Sequence, residues 1–301
     1  MNKIRTILSV AIATAVIATA HADGDLKPFI LGNSEGSDMA SAVSAVKEKL
    51  QAAGFEIAGE YSPYDTATII AITNDELKSA AAKTDFGAFG ASARVTITKG
   101  KDGSIQVAYT NPEYYGAAYR MDSNLSDVNA KLASALGNKG EYGPATGLST
   151  KDLEDYQYKW LMPYFTDRLE LADYDSQAKA VQAVEANLKA GKGGTAEVYR
   201  IDLPGNKATV FGVAMKGTKE ECAGDKYIMD SIDFKKIRST GHLPYEIVVK
   251  DGVAYALPAE FRIAISFPDL SMVGSNSFAS IMCAPGAIQA TLEAAAGGSG
   301  S

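Results

Sequence analysis

The most reactive side chains in this 301-residue sequence are two cysteines, Cys222 and Cys283, and one histidine beyond the N-terminal segment, His242. In an oxidising compartment two lone cysteines pair, and closing a loop of about 60 residues contributes ~4 kcal/mol in the chain-entropy model. A Cys222–Cys283 disulfide is therefore expected, pinning the segment 216–242 to the start of the last helix. A second chemistry stays open. Cys283 precedes Ala284-Pro285, where that helix begins, and a helix N-terminus depresses the pKa of a thiol. Cys283 would then be a nucleophile with Cys222 as its resolving partner, in thiol–disulfide or sulfur chemistry. Met215, Met229, Met272 and Met282 offer thioethers that suit Cu(I). No Met-x-Met or Met-x-x-Met spacing accompanies them, and methionine far more often fills irregular cores. A single histidine leaves no His-rich zinc or copper set and little to serve a hydrolase nucleophile. Without Cys-x-x-Cys-His there is no covalent haem site. No metal, cofactor or catalytic residue is assigned, and His242, close to Gly241 and Pro244, reads as a loop cap.

Tyrosine supplies the other candidate chemistry. Tyr109, Tyr114, Tyr115 and Tyr119 cluster around Asn111-Pro112, and Tyr156, Tyr158, Trp160, Tyr164 and Phe165 crowd a second stretch. A tyrosine presents an apolar ring and a polar tip, so such clusters suit an interface or a pocket for an amphiphilic ligand. Asn111-Pro112-Glu113-Tyr114-Tyr115 reads as a polar loop holding two aromatics at a strand end, where sites usually sit. The candidate ligand-binding residues are accordingly Tyr109, Asn111, Tyr114, Tyr115, Tyr119 and Trp160. Packing is the competing reading, above all for the second cluster. There a connector helix over residues 150–161, ended by Met162-Pro163, would lie across the junction of two units. The acid-dense stretches Glu220-Glu221 and Asp152 to Asp155 fit solvated surface or, after Ser149, the negative first turn of a helix.

What would position these residues is one unit written twice. Val107-Ala108-Tyr109-Thr110-Asn111-Pro112 is echoed by Val253-Ala254-Tyr255-Ala256-Leu257-Pro258, and AVSAVKEKL from Ala42 by AVQAVEANL from Ala180. The stripes Val43, Val46, Leu50 and Val181, Val184, Leu188 predict an amphipathic helix in each copy. Each copy also closes on a helix: Leu125, Val128, Leu132 and Leu136 before Gly137, and Ile288 and Leu292 between Pro285 and Gly297. Between these helices the pattern is β. Strands are predicted over 55–61, 66–72, 93–98 and 104–110, and again over 197–203, 208–215, 245–250 and 253–257. Asp102-Gly103 and Asp251-Gly252 between such runs are strong hairpin signals. Val107 and Tyr109 share one sheet face, as do Val253 and Tyr255, so the echo is most simply the buried face of equivalent strands. Beyond Pro258 the run AEFRIAIS reads as further strand.

Helix, four strands and helix, with a short strand before them at Phe29-Ile30-Leu31, is the order of TBP-like β-α-β4-α domains. AVSAVKEKLQAAGFEI, ARVTITKGKDGSIQVAYTNPEYYGAAY and the closing helix resemble the DUF302 family, a bacterial domain of that fold. The resemblance spans residues 37–137 and, in divergent form, 176–296. It implies an α+β protein of two tandem TBP-like modules, each an antiparallel sheet packed by helices, forming an intramolecular pseudo-dimer. The segment 216–242 departs from the family pattern, replacing a simple connection. No functional residue is carried over from the family.

Lys3 and Arg5, the apolar run from Ile7 to Ala18, and Ala20-His21-Ala22 predict a secretory signal peptide over residues 1–22, cleaved after Ala22. No later stretch approaches the ~20 apolar residues of a membrane span. An exported, periplasmic protein is expected: first module 23–145, connector 146–172, second module 173–296 and a flexible linker or fusion remnant over 297–301. Cleavage would remove two of 29 basic residues and none of the 36 acidic ones, leaving 27 against 36, a net charge of about −9. That balance disfavours nucleic acid or anionic membrane as a partner and accords with solubility. The function expected is a non-catalytic binding or accessory protein, its partner a small amphiphilic ligand or another envelope protein. A thiol–disulfide protein and a structural subunit of an envelope assembly are the alternatives.

Overall fold

The computed structural model describes residues 25–36 and 38–298; the predicted leader and residues 299–301 lie outside them. β1 (Phe29–Leu31) leads into α1 (Met39–Ala52), the pair β2 (Glu56–Tyr64) and β3 (Ala67–Thr73), and α2 (Asp75–Ala81). The pair β4 (Ala93–Lys99) and β5 (Ile105–Thr110) follows, then α3 (Pro112–Ala118) and α4 (Ser126–Leu136). After β6 (Glu141–Tyr142) and α5 (Thr150–Glu154) the order restarts. It runs β7 (Leu169–Asp173), α6 (Gln177–Lys189), β8 (Thr195–Asp202), β9 (Thr209–Met215), α7 (Asp225–Ile232), β10 (Tyr245–Lys250), β11 (Val253–Ala256), α8 (Ala259–Ser266) and α9 (Ala284–Ala296).

Matching local signals produce matching elements. The Asp38 side chain accepts from Ser41 N to cap α1, and Ser176 does the same for α6 from Lys179 N. Each helix then buries one stripe, Ala42, Val46, Leu50 and Ala180, Val184, Leu188. This stripe differs from the predicted one only at its first position, Ala42 for Val43 and Ala180 for Val181, and Val43 and Val181 flank it half-buried. Asp251 and Gly252 both take positive φ, 53° and 91°, as a two-residue hairpin of the right-handed sheet twist requires.

Among the described residues, eleven strands join one antiparallel sheet in the order β6-β1-β5-β4-β3-β2-β8-β9-β10-β11-β7. Outward from the β2–β8 contact, β3, β4, β5 and β1 on one side match β9, β10, β11 and β7 on the other. One registered pair makes that contact, Gly59 with Tyr199. Both partners stand immediately after a register shift in their own strands, between Ile57 and Gly59 and between Glu197 and Tyr199. Such bulges bend a strand and re-aim its side chains. A Cβ on Gly59 would collide with the carbonyl oxygen of Val198, so the close approach of β2 to β8 needs glycine there.

The halves are also laced together by their β-to-β connections. The turn Gly87–Gly90, between β3 and β4, packs on β9 and β10, and the turn Thr240–His242, between β9 and β10, packs on β3, β4 and β5. Both connections carry a helix, α2 and α7, and both cross the seam.

Three further expectations are overturned. Asn111 to Tyr115 is a capped helix start, not a loop: Asn111 Oδ1 accepts from Glu113 N and Pro112 occupies the first turn, where its missing N–H costs nothing. The predicted connector helix ends at Glu154. Tyr156 and Tyr158 both turn inward, their hydroxyls on the carbonyls of Ala264 and Leu270. Two residues apart on a helix they would point ~200° apart, so the chain unwinds to seat both. The run after Pro258 is α8, not strand; seven of its eight residues are buried. A segment buried on every side has no periodicity to separate helix from strand.

Gly59→Ala is expected to cost ~1–3 kcal/mol by overpacking the seam. Gly286→Ala, in α9 with no atom within 4 Å of the added methyl, should gain up to about 1 kcal/mol. Urea unfolding of both proteins checks the contrast, and a Gly59→Ala protein as stable as its parent would contradict the close seam.

Candidate functional site

From the seam pair, one ladder step leads from Gly59 to Ala71 and from Tyr199 to Gly212, and a second to Arg94 and Glu246. Arg94 and Glu246 therefore hold corresponding places on either side of the seam. They form an ion pair, and Arg262 Nε of α8 lies 3.2 Å from the other carboxylate oxygen. All three side chains are buried. Strand alternation explains the placement: Val95 and its cross-strand partner Tyr109 face α4, where Tyr109 donates to Gly137 O at 3.1 Å, so Arg94 faces the opposite layer.

Arg262 organises that layer. Its Nη1 donates to Tyr119 Oη at 3.1 Å, and its Nη2 to the carbonyls of His242 and Pro244 at 2.8 and 3.0 Å. His242 is wholly buried, with Nδ1 at 3.0 Å from Ser266 Oγ and Nε2 at 3.1 Å from Tyr245 Oη. Burial, reinforced by Arg262 and Arg94, holds the imidazole well below its ordinary pKa, so it is neutral. Tyr115 Oη reaches Ser266 Oγ at 3.2 Å. Two guanidinium groups against one carboxylate leave this cluster with one excess positive charge.

A cavity of about 190 Å3 opens beside the cluster, walled by residues 232–239 and 266–276, with Gly143 from the first half. Ser266 lines it and so joins it to His242 and Tyr115. Ile232, Phe234, Phe267 and Leu270 make its apolar wall. Its charges are internally matched: Asp233 receives Arg238 Nε and Ser239 N, each at 2.9 Å, and Lys235 Nζ bonds Asp269 at 2.7 Å. Except for Gly143, every lining residue falls between Cys222 and Cys283. Those cysteines form the expected disulfide, Cα–Cα 5.9 Å, tying the approach to α7 to the start of α9. Cys283 is solvent-exposed, and Tyr227 Oη lies 3.6 Å from its sulfur.

The sequence-predicted residues are only partly brought together. Tyr115 and Tyr119 enter the cluster, while Tyr114 Oη donates to Ile265 O at 2.9 Å behind it. Tyr109 and Asn111 are buried elsewhere, with Asn111 Nδ2 on Lys27 O at 3.0 Å. Trp160 stands apart, 84% exposed on the turn closed by Met162 N to Lys159 O. The expectation of an accessible tyrosine loop is thus corrected: capped by Asn111, α3 turns its rings into the interior. His242 is likewise no simple loop cap. Arg94, Glu246, Arg262 and Ser266 were not singled out, although a charge inside the strand runs Ala93-Arg94-Val95 and Tyr245-Glu246-Ile247 signals a buried partner.

The Ser266–His242 contact is not arranged for acyl transfer. Ser266 ends α8, where the helix dipole is negative, and shares its cavity with Asp233 and Asp269. An oxyanion would be disfavoured there. Gly32-Asn33-Ser34-Glu35-Gly36 has the glycine-serine-glycine spacing of a nucleophile elbow, but Ser34 is exposed and both nitrogens of His242 are engaged elsewhere. Comparison with protein-family models, with curated proteins and with solved structures gave no match.

One carboxyl behind the seam is poised to titrate. Asp225 of α7 is buried, its Oδ2 receiving Tyr61 Oη of β2 at 3.2 Å and Met215 N at 3.1 Å. Burial, outweighing those two bonds, pushes its pKa up to about 7. The fold therefore prefers the protonated form, a stabilisation complete below about pH 4 and lost as pH rises through 7. Asp225→Asn should remove this dependence: relative to the variant, the parent loses on the order of 4 kcal/mol between pH 4 and pH 8. Urea titrations at both pH values measure it, and parallel curves would contradict it.

Proposed function

We propose that the chain is an exported, non-catalytic binding or accessory protein whose ligand site is the cavity between residues 232–239 and 266–276. One observation carries the reading: an apolar-walled space with a hydroxyl, Ser266, backed by a buried polar network and clamped by a disulfide. Ligand sites combine apolar walls with a few fixed polar groups in this way. An apolar cavity of ~150 Å3 accepts benzene, so a space of about 190 Å3 suits a single-ring amphiphile. Export is supported by the disulfide and by the absence, among the described residues, of a helix long and apolar enough to cross a membrane. The scaffold proposed is a fused pair of TBP-like modules related to the DUF302 family. Its support is the repeated element order, the mirrored strand order and the reciprocal crossing turns.

The thiol–disulfide alternative has its own observation, the exposed Cys283 at the start of α9 beside the Tyr227 hydroxyl. It requires the disulfide to open under mild reductant while the fold persists.

Benzyl alcohol tests the binding reading. It should raise the melting temperature saturably by about 2–4 °C at ten times its Kd. Ile232→Phe, which fills the cavity from its wall, should abolish the shift in a folded protein. No saturable shift with the parent protein would defeat the proposal.

A further inference from the structure

We infer that the cavity takes an anionic amphiphile, with the apolar part inside and the anionic head held at a cationic mouth. The inference rests on the cavity being a binding site. A second depression, of about 480 Å3, adjoins the first; Asp233, Phe234 and Lys235 line both. Phe234 is 57% exposed at this junction, an apolar ring left partly to water where the two spaces meet.

The charges at the mouth are unequal in availability. Lys101, Lys235, Lys236 and Arg238 meet Asp102, Asp230 and Asp233 there. Asp233 is held by Arg238 at 2.9 Å, Lys235 by Asp269 at 2.7 Å, and Asp230 by Lys226. Lys236 remains 89% exposed, with Asp102 at 3.8 Å. Lys101 is exposed and forms no ion pair among the described residues. The acids are therefore each matched, Asp102 by Lys236 at the long distance of 3.8 Å; Lys101 of the β4–β5 turn is left as the excess cation, and the exposed Lys236, on the link after α7 that lines the same depression, is engaged only by that long contact. This cationic mouth belongs to a chain whose formal charge is −7, so general charge balance does not account for it. A cationic ligand would meet only carboxylates already paired, Asp233 with Arg238, Asp230 with Lys226 and Asp102 with Lys236.

Benzoate, benzyl alcohol and benzylamine carry the same ring with an anionic, a neutral and a cationic head. By calorimetric titration at low salt, benzoate should bind about five- to tenfold more tightly than benzyl alcohol, the scale of two exposed ion pairs, and benzylamine least. The advantage should shrink in ~0.5 M salt. It should vanish in the double variant Lys101→Gln, Lys236→Gln, with benzyl alcohol affinity unchanged. Benzyl alcohol binding as tightly as benzoate, or a benzoate advantage that survives the double variant, overturns the inference and leaves the cavity reading standing. Failure of all three probes overturns the cavity reading and this inference with it.

Discussion

Glu246 lies between two guanidinium groups, those of Arg94 and Arg262, where water does not reach. Taking each ion out of water costs several kcal/mol, and their attraction offsets that only if the geometry is held. The surroundings hold it. Tyr119 and the carbonyls of His242 and Pro244 accept three further N–H bonds from Arg262, and the Thr240–His242 turn is itself packed across the seam on β3, β4 and β5. Loss of the carboxylate would strand two buried cations, a change that costs ~3–5 kcal/mol in comparable pairs. The ion pairs of the cluster form only when the halves dock in one register. A seam with one registered backbone pair, Gly59 with Tyr199, is thereby fixed by side chains and crossing turns rather than by a long ladder.

A single continuous chain makes this arrangement available. In a symmetric dimer of identical chains, corresponding positions across the axis carry the same residue, and arginine would face arginine. On one chain the two places differ, as Arg94 and Glu246. The same freedom separates the two ends of the molecule. The link from α3 to α4 occupies residues 119–125, whereas that from α8 to α9 occupies 267–283, and the longer link supplies one wall of the cavity. The Cys222–Cys283 disulfide then fixes that wall against α7, so the proposed site depends on a covalent clamp that only the second half carries.

Much of the scaffold was legible in the sequence because the signals were local. Amphipathic runs placed α1, α4, α6 and α9, Asp-Gly pairs placed two hairpins, and the two cysteines gave the disulfide. The misreadings share one cause, burial that erases pattern. α8 is enclosed on all sides and looks like strand; α3 hides behind Asn-Pro; Tyr156 and Tyr158 follow the core rather than a helix. The polar tips of Tyr115 and Tyr119, which mark them as candidate site residues in the sequence, do meet a polar network, but an interior one. That Arg94 needs a buried partner can be read from its strand. That the partner is Glu246 depends on the docking of two distant strands, which no local pattern encodes.

If the seam cluster welds the halves, they must unfold together, although a chain of this length would ordinarily divide into independently melting domains. Scanning calorimetry at neutral pH with the disulfide intact measures this most directly. The account predicts one transition whose van't Hoff and calorimetric enthalpies agree. Two resolved transitions, each with its own midpoint, would show that the halves are stable apart and that the Arg94–Glu246–Arg262 cluster does not hold the structure together.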